Sequence, residues 1–242
     1  MATQVFKDAK VWLAQFALTS YLSELEIQHE ADALDKTVFG NTTRQFQSGL
    51  EKFSFGLKGF ADYADEALDE IVRTRVGTQD VPITFGLETG LVNTRAILIE
   101  GGLGDYQQGG SVGVLVPFNL PGFASKGRPI VPGTILEDAT VAKTANGNGT
   151  AYQLGAVGAA QKLYASLHVL TYSGFTNVVV KVQSDTSGFP SPTDRVTFAT
   201  VTGLTSEFAT PVDGAITDDW HRISWTVTGV GSITFIVAMG IK

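Results

Sequence analysis

Two stretches decide the fold: Glu24-Leu25-Glu26-Ile27-Gln28-His29-Glu30 and Lys52-Phe53-Ser54-Phe55-Gly56-Leu57-Lys58. In the first, Leu25, Ile27 and His29 alternate with Glu24, Glu26, Gln28 and Glu30. Successive side chains of a strand point to opposite faces, so this period of two is that of a half-buried strand. The second stretch repeats it, with Phe53, Phe55 and Leu57 set against Lys52, Ser54, Gly56 and Lys58. The polar segment Ala31–Thr43 between them reads as a mobile loop, followed by a second long strand within Arg44–Phe60.

The same reading extends outward. Lys10–Tyr21 forms an opening strand, and its aromatics Trp12, Phe16 and Tyr21 are candidates for a subunit contact. A helix is expected over Asp62–Val76, because Ala64, Ala67, Leu68, Ile71 and Val72 share one helical face. Asp62 would be its N-cap, Asp65 and Glu66 would lie in its first turn, and Arg73, Arg75 and Gly77 would end it. Strands return at Val81–Glu88, Thr94–Glu100 and Ser111–Asn119, with Gly101–Gly110 as a hairpin tip. The Pro- and Gly-rich stretch Pro121–Pro132, with Lys126 and Arg128, reads as a linker. Beyond it lie short strand candidates at Leu163–Tyr172, Val178–Gln183, Arg195–Val201, Trp220–Val227 and Ser232–Ile241, the pattern of a sandwich or jelly roll. The expectation is a mainly β protein of two domains, 1–123 and 124–242. Trp220 and Trp225 are separated by an odd number of residues and so face opposite ways. Both read as filling the second core, and the alternative is that one of them faces a ligand or a partner.

Composition bounds the function. The chain has 242 residues, 43% of them hydrophobic, enough to bury a core. Cysteine is absent, which removes disulfides and thiolate metal sites. No apolar run near the amino end suggests a secretory signal, so synthesis in the cytoplasm without membrane insertion is expected. The net charge is −7, and residues 1–125 carry 9 Lys/Arg against 16 Asp/Glu. Nucleic-acid affinity comes from cations that displace phosphate counterions, so this balance argues against tight binding. It suits either solubility or a surface that a phosphate backbone slides past.

Catalytic patterns are thin. Gly109-Gly110-Ser111-Val112-Gly113 matches a nucleophile elbow, but that motif must open a helix, and Val114-Leu115-Val116 reads as a strand. His29, His168 and His221 have no metal-ligand spacing. Asp218-Asp219-Trp220-His221 reads as a turn entering a strand. No phosphate loop or dinucleotide fingerprint is present. No catalytic residue, metal or cofactor is assigned.

The stretch from Glu30 through Ala31-Asp32-Ala33-Leu34-Asp35-Lys36-Thr37-Val38-Phe39-Gly40-Asn41-Thr42-Thr43-Arg44 resembles a loop of the tail tube (major tail) proteins of long-tailed bacteriophages. Gly49-Leu50-Glu51-Lys52-Phe53-Ser54-Phe55 is similar to the strand that follows it in that family, and order and spacing agree through about residue 123. Gly147–Ala156, Ser191–Phe198 and Trp220–Trp225 look like sequences attached to such proteins. The resemblance implies a tail-tube β-barrel or sandwich with one helix, followed by an external, jelly-roll-like β-sandwich. It also implies a non-enzymatic virion protein, made in the host cytoplasm, that self-assembles with other tail proteins into stacked rings, usually six-fold. Viral DNA would pass through the lumen without specific binding. By the same resemblance, Ala31, Asp32, Leu34, Asp35, Thr37, Phe39, Thr42, Thr43 and Arg44 are candidate inter-subunit or inter-ring contacts. If the second half is a degenerate copy of the first, three chains would give a pseudo-six-fold ring. The alternative function is a tail-associated module that recognises host-surface carbohydrate through the C-terminal sandwich.

Overall fold

The computed structural model describes residues 8–64, 67–125 and 127–242. The chain is mainly β. In chain order the first strands are β1 (Lys10–Leu13), β2 (Phe16–Ala17), β3 (Leu22–Asp35) and β4 (Phe46–Phe60). Helix α1 (Leu68–Arg73) follows, then β5 (Val81–Gly86), β6 (Arg95–Leu103), β7 (Gln107–Gln108) and β8 (Pro117–Ala124). The rest are β9 (Val131–Glu137), β10 (Gly147–Asn148), β11 (Tyr152–Gln153), β12 (Lys162–Asp185), β13 (Thr193–Thr197), β14 (Ser206–Phe208), β15 (Val212–Asp213) and β16 (Trp220–Ile241). No described helix is long and apolar enough to cross a membrane.

The chain divides into two compact units, each made of separate segments. Unit 1 contains residues 1–20, 81–100 and 130–242, and unit 2 contains 21–80 and 101–129. This differs from the sequential division expected at residue 123, which falls inside β8 and inside unit 2. The reason is strand pairing. β1 pairs with β5, and β6 pairs with β9 through Arg95↔Thr134 to Leu98↔Val131, so early strands enter the sheet of the later sequence.

Unit 1 is organised around β12 and β16, which pair from Leu163↔Ile241 to Asp185↔Trp220. On its other side β12 carries β15, β14 and β13. On its other side β16 carries β9, β10 and β11. Their inward faces form a core that includes Leu167, Val169, Val180, Ile223, Phe235 and Val237. Each such side chain contributes roughly 1.5–3 kcal/mol by leaving water. The expected breaks at Ser173–Asn177 and Thr228–Gly231 are not turns between strands. They are irregularities within two continuous strands, with register shifts at Val169/Thr171, Ser173/Phe175 and Phe175/Asn177. A bulge bends a strand without ending it. Gly231 is required there, because a Cβ on it would stand 2.1 Å from the Ser173 carbonyl oxygen.

Further expectations change for local reasons. The opening strand is two short pieces, and Trp12, 4% exposed, belongs to the unit 1 core and not to a subunit surface. The helix is six residues long, with Ala67 as N-cap. Asp62 instead accepts a hydrogen bond from Ala64 N–H at 3.0 Å, holding a turn before the helix. Leu68, Ile71 and Val72 are the buried stripe, as the periodicity predicts. Asp65, Glu66 and Lys126 lie outside the described residues. Residues 111–116 are a loop, and the strand begins at Pro117. Pro121–Pro132 is no linker: β8 runs to Ala124 and β9 starts at Val131. Trp225 is core, edge-on to Phe235 with its indole N–H donated to the Ala145 carbonyl at 2.8 Å. Trp220, five residues earlier, is half-buried on the opposite face.

Candidate functional site

The decisive pair of strands in unit 2 is β3 and β4, antiparallel from Leu22↔Gly59 to Asp35↔Phe46. Leu25, Ile27 and His29 stand opposite Leu57, Phe55 and Phe53, and these three β4 residues are buried. β8 lies alongside β4 only from Ser54↔Phe123 to Phe60↔Pro117. From Phe53 to the turn, β4 is paired with β3 alone among the described strand pairings. The ribbon therefore extends past its sheet as a two-stranded arm. β3 is an edge strand along its full 14 residues, with β4 as its described partner.

The loop expected at Ala31–Thr43 is shorter than predicted. Ala31, Asp32, Leu34 and Asp35 lie in β3, which continues to Asp35 past a register shift between Ala31 and Ala33. Thr37, Phe39, Thr42, Thr43 and Arg44 lie in the connection 36–45. The tip is built by local hydrogen bonds. Asp35 Oδ1 accepts from Thr37 N–H at 2.9 Å, and Thr37 Oγ1 accepts from Gln45 N–H at 3.0 Å. Hydrogen bonds from the Thr37 hydroxyl and backbone hold the Asp35 carboxyl below its usual range. Lys36 N–H donates to Gln45 O at 2.9 Å, Asn41 N–H donates to Val38 O at 3.2 Å, and Gly40 takes φ +96° to reverse the chain. These polar groups are spent on the turn, and the apolar residues are turned outward. Phe39 is fully exposed, and Val38, Leu34, Phe46 and Leu50 are all more than half exposed. Thr42, Thr43 and Arg44 are exposed and take no part in the turn's hydrogen bonds.

Register also sets the charge of the ribbon. Glu24 pairs with Lys58 at 2.6 Å, and Lys52 stands opposite Glu30. The row of acids seen along β3 is thus partly answered by lysines on β4, and the face is less negative than β3 alone suggests. His29 Nε2 is 3.3 Å from Glu51 Oε2. Unit 2 nevertheless holds 8 Lys/Arg against 13 Asp/Glu. Six of the acids, Glu24, Glu26, Glu30, Asp32, Asp35 and Glu51, lie on the ribbon, and others follow at the other end of β4. Ala61 N–H donates to Val116 O there, next to Asp62, and α1 carries Asp69 and Glu70. Asp69 binds Arg73 at 2.7 Å and Gln108 at 2.7 Å. Tyr106, under Arg73, has its phenol pushed up to about 12 by burial. The same end exposes Phe60, Tyr63, Val112, Val114 and Leu115, an apolar group that sequence periodicity did not single out. Its signal was the unbroken run Val112-Gly113-Val114-Leu115-Val116, which was assigned to a strand.

Ser111 sits in this exposed loop, its carbonyl accepting from Val114 N–H at 3.4 Å, and a strand rather than a helix follows. His168 and His221 are buried in unit 1. Among the described residues, no group of three or more His, Asp or Glu side chains is arranged for a metal ion.

No protein-family model matches the chain, and no curated protein sequence matches it. Among solved structures, a chain in the virion of a native gene transfer agent particle is similar at 16% identity and TM-score 0.41, over 51% of this chain and 95% of that one. A chain of the tail of an empty gene transfer agent particle with C6 symmetry is similar at 15% identity and TM-score 0.43, over 51% of this chain and 96% of that one. The Dit protein of phage SPP1, described as a hub of the adsorption apparatus of phages that infect Gram-positive bacteria, is similar at 15% identity. Its TM-score is 0.39, over 98% of this chain and 100% of that one.

Proposed function

We propose that this chain is a structural, non-enzymatic subunit of a bacteriophage tail, which joins copies of itself through unit 2 into stacked rings forming the tail tube, a conduit for DNA. The observation that carries this reading is the arm: two strands projecting past their sheet, with an edge strand of 14 residues and a fully exposed phenylalanine at the turn. An isolated two-stranded ribbon is marginal in water, and a long open edge is a template for another strand. Closing identical chains into a ring gives every such edge a neighbour. The acidic balance of unit 2 would keep a DNA phosphate backbone from adhering to the tube.

Negative-stain microscopy of purified protein at rising concentration tests the reading. Rings or tubes are expected. A protein that stays monomeric at high concentration by light scattering, with no particle larger than one chain, overturns it.

A further inference from the structure

Unit 1 carries a half-buried cation with no anion of its own. Arg222 lies on the outward face of β16, the face of Trp220 and not that of the Trp225 core. Its Nε donates to Gln183 Oε1 at 3.0 Å, and its guanidinium lies 4.3 Å from the centroid of the Phe189 ring. Among the described residues, its two terminal nitrogens have no partner. The carboxylates nearest in register are engaged elsewhere. Asp194, opposite Gln183, takes Lys181 Nζ at 2.6 Å and Gln183 Nε2 at 2.8 Å. Asp185, opposite Trp220, accepts from Thr186 N–H and Ser191 N–H, both at 2.7 Å. These two bonds pin the ends of the loop that carries Phe189 to Arg222, where Phe189 is held at φ 53°, uncommon for an aromatic residue. With Nε engaged and one face covered, what remains of the guanidinium is its pair of terminal N–H groups. That planar fork grips a carboxylate or a phosphate in two bonds.

Beside that fork stand the parts of a sugar platform. Trp220 precedes Arg222 by two residues on the same face, about 7 Å away at roughly 3.3 Å per residue. It is half-buried, so its ring is fixed in the sheet and still reachable. Gln153 of β11 stands opposite Trp220 and donates Nε2 to Asp219 Oδ2 at 2.6 Å. Among the described residues, this leaves Asp219 Oδ1 as a free acceptor at the same edge. An indole covers the apolar C–H face of a pyranose ring, and a carboxylate accepts from its hydroxyls. We propose that this face of unit 1 binds an anionic saccharide. The sugar ring lies on Trp220, its hydroxyls donate to Asp219, and its carboxylate or phosphate sits on Arg222. The site uses no residue of unit 2 and does not depend on the ring reading above. It gives the carbohydrate alternative a place in the fold and its ligand a charge.

Trp12 and Trp225 are buried, so a change in tryptophan emission on adding a sugar reports Trp220. The probes are glucose, glucuronate and glucose 6-phosphate, which share one ring and differ at one carbon. With the full chain, glucuronate or glucose 6-phosphate should give a saturable change with a Kd about tenfold or more below that of glucose. The tighter of the two identifies the anion as carboxylate or phosphate. High salt should shrink the difference. Trp220→Phe should remove the signal, and Arg222→Leu should bring both anionic sugars to the level of glucose, with circular dichroism checking the fold. Equal affinity for glucose and its anionic forms overturns the site. So does an equal response to acetate or inorganic phosphate alone, or no response to any probe. The comparison among sugars uses the unmodified chain, so it decides the matter even where a variant does not fold. Assembly is read separately in the microscope, and neither result determines the other.

Discussion

In unit 1 the Nδ1 of His168 lies 2.6 Å from the carbonyl oxygen of Ala14, and both groups are buried. A carbonyl can only accept, so Nδ1 carries the proton. Nε2 then accepts from the Thr84 hydroxyl at 2.8 Å, and Thr84 Oγ1 in turn is 2.8 Å from Ser166 Oγ. Ala14 has φ 51°, uncommon for alanine, which aims its carbonyl away from the regular ladder. The chain of bonds fastens β5 and the turn after β1 to β12, and it fixes one neutral tautomer of the imidazole.

Acid should therefore weaken unit 1. Burial pushes His168 down to about 4, against a weaker upward effect of the Ala14 hydrogen bond. Burial also pushes His221 down to about 4, with Asp218 opposing and Arg195 adding to the shift. Unfolded histidine titrates near 6.5. Between those values the unfolded chain binds protons that the folded chain does not, so stability is complete above about pH 6.5 and falls as pH drops toward 4. The loss is on the order of 3 kcal/mol per histidine at its fullest. Urea denaturation at pH 7.5, 6, 5 and 4.5 measures it. A flat profile across that range would contradict the burial of both rings.

The two histidines should respond oppositely to the same substitution. His168→Phe strands the buried Ala14 carbonyl, at about 1–3 kcal/mol, and leaves the Thr84 hydroxyl with Ser166 as its remaining partner. His221 has no hydrogen bond to either ring nitrogen although it is fully buried. His221→Phe removes an unsatisfied polar ring, so it is expected to be neutral or stabilising and to halve the acid sensitivity. Denaturation midpoints of the two variants at pH 7.5 make the comparison.

At the tip, Phe39→Ala should separate assembly from folding. Its ring touches nothing in the monomer, so the thermal midpoint should move within the range of about 0.5 kcal/mol usual for surface changes. An aromatic anchor in an interface is worth about 2 kcal/mol or more, so the concentration needed for assembly should rise roughly 30-fold. Sedimentation across a dilution series reads this shift. Asp35→Ala should act in the same direction more weakly, by loosening the turn that presents the ring.

Within unit 2, Gly122 is held bare by a neighbour. A Cβ there would come within 2.1 Å of the Phe55 ring, which lies over the Gly122 backbone across the β4–β8 pair. Gly122→Ala must move Phe55 from its buried position and should cost about 1–3 kcal/mol. Hydrogen exchange should show the loss in β4 and β8 rather than in β12 and β16. Gly109→Ala, which meets no atom within 4 Å, is the control.

What the sequence disclosed was local. Alternation over 24–30 and 52–58 located the ribbon and its buried face, and Leu68, Ile71 and Val72 located the helical stripe. Asp35, Thr37 and Phe39 are contact candidates by likeness, and the hydrogen bonds show that the first two also hold the turn. Whatever depended on distant partners was hidden. The Gly-containing stretches at 173–177 and 228–231 look like ends because a bulge and a turn draw on the same residue types. Trp12 reads as an interface aromatic because nothing nearby in sequence shows that it shares a core with residues as distant as Tyr164 and Ile236. The lysines opposite Glu24 and Glu30 became visible only once register was known.

The interleaving of the two units governs how the molecule can be dissected. The backbone passes between them at 20/21, 80/81, 100/101 and 129/130. A protease that nicks any one of these passages frees neither unit in complete form, because every fragment that retains part of unit 2 also retains part of unit 1. Severing at 129/130, for example, strips β1, β5 and β6 from the larger sheet along with the whole of the arm. Recovering the arm-bearing unit intact requires rejoining residue 80 to residue 101 by a designed bridge, and truncation alone would give a sheet missing its own inner strands.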